Sequence, residues 1–139
     1  MKTLLVPLLL LLLIGCSESD SISSQISDKF NQAGTIDLTR VGPEDWDRVC
    51  ILGPYSGNKE TEQVLGFPWD AEANTTIAGN EGINVLVFSR GESVVAYSEH
   101  PRRKGDFSSV ASTCSTRRDA KLTRKHGSWG LVWKRAGES

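Results

Sequence analysis

The chain has 139 residues, with 17 Asp and Glu against 16 Lys and Arg, two histidines and three cysteines. That length suits one domain with a single core, and the near-neutral balance excludes a strongly basic nucleic-acid-binding protein. Charge is nonetheless uneven: residues 17–89 hold twelve acids and four bases, residues 90–139 five acids and eleven bases. The expectation is that the acidic and basic halves pair in the fold and solvate its surface, with a functional basic face as the alternative.

At the N-terminus, Lys2 precedes an eleven-residue apolar stretch from Leu4 to Ile14, and small Gly15 precedes Cys16. A membrane-spanning helix needs about 20 apolar residues, and Pro7 interrupts this shorter run. A positive start, a short apolar run and a small residue form the pattern of a cleaved export signal. Its last four residues, Leu13-Ile14-Gly15-Cys16, resemble the lipobox of bacterial lipoproteins. The resemblance implies that residues 1–15 are removed, that Cys16 becomes the N-terminus, and that lipid, palmitate included, is attached to its sulfur and amino group. An ordinary secretory signal cut elsewhere is the alternative. Ser17 stands where an Asp retains such proteins in the inner membrane, so the outer membrane facing the periplasm is the expected location.

Three segments follow from these boundaries: a signal peptide at 1–15, a lipidated N-terminus and tether at 16–21, and a single globular domain at 22–139. Ile22, Ile26 and Phe30 recur every four residues and predict one amphipathic helix that docks on the domain, with Gly34 as its cap. Thr35 to Val41 alternates as a strand, and Gly42-Pro43 breaks it. A second strand is predicted over Asp45 to Leu52, and a short helix over Lys59 to Leu65 capped by Gly66. Phe67-Pro68-Trp69 looks like an aromatic plug, and residues 74–82 a loop.

Ile83 to Ser89 and Ser93 to Ser98 are β-branched runs joined by Arg90-Gly91-Glu92, the pattern of an antiparallel hairpin. Val85, Val87, Val95 and Tyr97 are expected to share a face, with the pair central in the sheet. Pro101 is expected to end the ladder and open a basic loop, His100 to Asp106. Residues 107–114 read ambiguously. Ala120 to Arg124 reads as a strand, as does Ser128 to Lys134, with Trp129, Leu131 and Trp133 on one face. The sum is an α+β fold: a mostly antiparallel sheet of about five or six strands with one or two covering helices, against a small all-β barrel as the alternative.

With Cys16 carrying lipid, Cys50 and Cys114 remain as an even pair in an oxidising compartment. A disulfide closing a 64-residue loop is expected from that arithmetic. Two separate cysteines, with Cys50 a small core hydrophobe, is the alternative.

No constellation points to catalysis. A nucleophilic site needs a histidine base beside an activated Ser or Cys, and His100 and His126 both read as exposed loop residues with cationic neighbours. Zinc wants four clustered Cys or His ligands, and Asp45 with Asp47 lacks the glycine-pinned loop of a calcium site. No metal or cofactor is expected. Asn74-Thr75-Thr76 matches a glycosylation acceptor by pattern only, incidental behind a bacterial leader.

One cluster carries binding chemistry: Tyr97, His100, Arg102, Arg103 and Lys104, with Glu99 beside them, combine an aromatic surface with positive charge. Such a site suits a carboxylate, a lipid phosphate, a peptidoglycan acid or an acidic protein. A loop that is basic for solubility is the plain alternative. Residues Thr61 to Pro68, Thr-Glu-Gln-Val-Leu-Gly-Phe-Pro, also resemble a contracted form of a segment in the small outer-membrane lipoproteins that help assemble β-barrel proteins, which likewise join helices to a small antiparallel sheet. The functional expectation is a non-enzymatic envelope lipoprotein that binds or braces an envelope protein or anionic component, with no nucleic acid. The alternative is an effector-neutralising immunity protein or periplasmic hydrolase inhibitor. Catalysis requires Tyr97, His100 and the arginines to converge in a cleft with an acid.

Overall fold

A computed structural model describes residues 17–32, 34–125, 130–135 and 137. Helix α1 spans Glu18–Phe30, α2 Asn58–Leu65 and the single-turn α3 Ala71–Asn74. The strands are β1 Ile36–Asp37, β2 Arg48–Leu52, β3 Ile83–Arg90, β4 Ser93–Pro101, β5 Thr113–Thr116, β6 Lys121–Arg124 and β7 Leu131–Trp133. The fold is α+β, with seven antiparallel strands in two open sheets and two main helices among the described residues. One sheet has the order β4-β3-β2-β5, the other β1-β6-β7. The expected single sheet is therefore divided.

Strand alternation sends neighbouring side chains of the four-stranded sheet to opposite faces. Val49, Ile51, Leu86, Phe88 and Ala96 join Ile22 and Ile26 of α1 in a larger core, to which Ile36, Leu122 and Leu131 bring the three-stranded sheet. Cys50, Leu52, Val85 and Val87 face the other way and form a smaller core with Leu65 of α2, Phe67, Ala71 and Ile77. Trp46 closes the larger core, edge-on to Phe88 at 5.1 Å, and its indole N–H donates to the Val41 carbonyl at 2.9 Å.

The disulfide is formed between directly opposed residues of β2 and β5, with Cα atoms 4.0 Å apart. Alternation had already placed Cys50 on one face, and the antiparallel register sets Cys114 opposite it.

Several elements differ from expectation for identifiable reasons. Helix α1 begins at Glu18, so most of the expected tether at 16–21 is helix. Ser17 is the reason: its hydroxyl accepts from the Asp20 N–H at 3.2 Å, and Glu18 and Asp20 favour the positive end of the helix. Strand β1 is cut to two residues because the Asp37 carboxylate accepts from Thr39 N–H and Oγ1–H at 2.9 and 2.6 Å, bending the chain. The expected strand at Asp45 begins only at Arg48. The loop expected at 74–82 contains the end of α3 and a 3-10 turn at Ile77–Gly79.

The hairpin pairs as expected, but β4 is an edge strand and runs on through Pro101, opposite Ile83. Glu99 N–H points outward to Ser19 Oγ, so by alternation the missing N–H of Pro101 also falls on the outer side and no ladder bond is lost. A bulge between Phe88 and Ser89 skips Val95, which packs toward the α1 face instead of beside Tyr97. Trp129, expected on the face of β7, and His126 lie outside the described residues.

Candidate functional site

The five residues expected to form one binding cluster are divided by β4 and the turn after it. Tyr97 and His100 differ by three positions on a strand, so they face opposite ways. Tyr97 is half-buried on the α2 face, its ring 5.2 Å from that of Trp69.

His100 is fully buried, a correction to the expected exposed loop position. Its ring lies 6.2 Å from Phe30 and 5.7 Å from Phe107, and its Nδ1 is 2.9 Å from Ser23 Oγ on α1. Among the described residues Nε2 has no hydrogen-bond partner of normal geometry. Burial pulls the imidazole down to about 4; the Lys104 backbone opposes that pull, and the Lys104 charge adds to it. A neutral, enclosed ring is a structural pin between α1 and β4. It offers nothing to a ligand at neutral pH.

Arg102 is already engaged. It grips Asp106 through Nε and Nη2 at 3.1 and 3.0 Å and donates Nη1–H to the Glu81 carbonyl at 2.8 Å. Among the described residues the two ion pairs, Arg102–Asp106 and Arg118–Asp119, both lie within the basic half. Among the described residues the two halves therefore meet without an ion pair, through bonds such as Arg102 to the Glu81 carbonyl and Arg117 to the Thr39 carbonyl, and through the Lys121 charge near Asp37.

Arg103 and Lys104 remain. They occupy a 3-10 turn at Arg102–Lys104 and make no ion pair among the described residues. Gly105 lets this turn close tightly: its φ is +148°, and a Cβ there would collide with the Phe30 ring. The turn is thereby held against the C-terminal half of α1. Between them lies a recess of about 390 Å³ lined by Ser24, Ser27, Asp28, Asn31, Arg103 and Lys104. Two cations with hydroxyl and amide donors can hold carboxylate or phosphate oxygens, while Asp28 favours a ligand that also carries hydroxyl or amide hydrogens.

Ser24, Ser27 and Asn31 were not singled out by sequence. The signal was present, because they lie off the Ile22-Ile26-Phe30 stripe, but only the basic turn packed beside them makes the polar face a recess. Tyr55 was also missed. It is 61 % exposed, has φ of 65° although it is not glycine, and donates its hydroxyl to Glu81 Oε2 at 3.0 Å. A large aromatic held outward in a rarely populated conformation is a candidate contact residue.

Asp45 and Asp47 do not assemble a metal site. Asp47 Oδ2 accepts from Gly91 N–H at 3.2 Å, and among the described residues no group of three or more His, Cys, Asp or Glu could hold a metal ion. No described helix is long and apolar enough to cross a membrane. No family model, curated protein or solved structure matches the chain.

Proposed function

We propose that the chain is a bacterial envelope lipoprotein, anchored through lipid on Cys16, whose domain is a non-enzymatic module that binds an anionic envelope component, facing the periplasm from the outer membrane. Anchoring is supported by the lipobox-like tetrapeptide, and an oxidising compartment by the Cys50–Cys114 bridge. The observation that carries the binding role is the recess at Arg103 and Lys104, two cations that make no ion pair among the described residues, beside the polar face of α1. A non-enzymatic role is favoured by the separation of Tyr97 from His100 and by the engagement of Arg102, which leave no shared cleft with an acid. Glu18 and Asp28 are ten residues apart, about 15 Å along the helix. The recess is therefore set away from the anchored end, within reach of material beyond the membrane surface.

The test is capture from native envelopes by the lipidated protein and by an Arg103→Ala/Lys104→Ala variant. The double variant captures less of its ligand, the deficit grows smaller as salt is raised, and the melting temperature is unchanged. Equal capture by both proteins contradicts the recess as a binding site. Tyr55 favours the second reading, an immunity protein or hydrolase inhibitor. A photoreactive residue at position 55 that captures an enzyme, where one at position 104 captures nothing, decides for it.

A further inference from the structure

A second surface lies at the opposite end of α1. An open groove of about 380 Å³ is lined by Ser17, Glu18 and Ser19 on one side and by Trp69, Val94 and Tyr97 on the other. Ser19 is fixed to the edge strand twice: its carbonyl accepts from Ser98 Oγ–H at 2.8 Å and its hydroxyl from Glu99 N–H at 3.1 Å. Consecutive Cα atoms are about 3.8 Å apart. A lipid carried by Cys16 is thus joined to a residue of the groove's own rim, with no intervening leash.

The aromatic residues of this groove are chemically suited to a lipid headgroup layer. Trp46 donates its indole N–H to Val41 O and Trp133 donates to Thr113 Oγ1, whereas Trp69 has no protein acceptor among the described residues. The Tyr97 hydroxyl likewise makes no protein hydrogen bond there, unlike that of Tyr55. Half-buried Trp and Tyr rings with free polar tips are the side chains that settle at membrane interfaces, ring toward the acyl chains and polar tip toward headgroups. Glu18, the ionisable residue on the rim, suits the ammonium of a zwitterionic headgroup better than an anionic surface.

We infer that the Trp69–Tyr97 groove is a bilayer-docking face, pressed into the zwitterionic headgroup layer because α1 starts immediately after the lipidated residue. The inference rests on the anchor at Cys16 proposed above. Docking there fixes the domain's orientation, so the Arg103–Lys104 recess points away from the membrane.

The test uses the full lipidated protein in phosphatidylethanolamine/phosphatidylcholine vesicles containing lipids brominated near the top of their acyl chains. The mass of the purified protein is recorded first. Tryptophan emission falls on incorporation; Trp69→Phe removes most of that quenching, and Trp133→Phe leaves it nearly intact. An acylated protein in which Trp69→Phe does not change the quenching overturns the docking face alone. An unacylated Cys16 overturns the anchor, and the docking face with it.

Discussion

The two faces of the four-stranded sheet are closed by different means. The α1 face buries large side chains, including Phe88, Phe107, Ile22, Ile26 and Leu38, and is tied by polar contacts between residues distant in the chain. Ser23 meets His100 and Asn84 Oδ1 accepts from Phe107 N–H, both inside the core. The α2 face has fewer apolar residues and carries the Cys50–Cys114 bridge among them. A small core covered by an eight-residue helix and a single turn gains most from a covalent staple, whereas the larger one holds by packing.

That contrast is broken hardest from the packed side. Truncating Phe88, fully buried against Trp46, removes apolar contact and leaves a cavity, so Phe88→Ala costs about 3–5 kcal/mol in urea unfolding. Removing the staple as Cys50→Ala/Cys114→Ala costs about 2–5 kcal/mol. The loss has a distinct location: amide exchange accelerates in β5 and α2 more than in α1. Uniform acceleration would show that the two faces are not separately secured.

The third prediction concerns the polar pin. His100 has an ordinary pKa of 6.5 and a folded one of about 4. Between those values the unfolded chain binds a proton that the folded chain excludes. The stability of the neutral ring is complete above pH 6.5 and is lost as the pH falls toward 4, by up to about 3 kcal/mol. His100→Gln flattens that slope, read from urea midpoints at stepped pH. An unchanged slope assigns the acid sensitivity to other groups. The smallest effect belongs to Ser17→Ala, which removes the cap of α1 and costs about 0.5–2 kcal/mol. Faster exchange confined to the first turn of α1 is its signature.

Those regions also differ in how far sequence reveals them. The hairpin, the α1 stripe, the Gly66 cap and the cysteine pairing were legible because alternation, helical spacing and cysteine number are local or countable signals. The burial of His100 was not, because Pro101 reads as a strand breaker. In an edge strand proline costs nothing when its nitrogen faces outward, and His100 then falls in phase with buried Ala96 and Ser98. The α1 start was obscured by serines that read as linker, although Ser17 with Glu18 and Asp20 is also an N-terminal signature. The recess was half legible. Arg103 and Lys104 stood out by charge, but their companions come from a helix some seventy residues earlier, brought there by Gly105 packing under Phe30.

The decisive measurement is the intact mass of the protein extracted from native membranes. A chain that begins at Cys16 and carries acyl groups, alongside a Cys16→Ser variant that lacks them and leaves the membrane fraction, is the result predicted. An N-terminus at any other residue, or an unmodified Cys16, contradicts the anchored binding module.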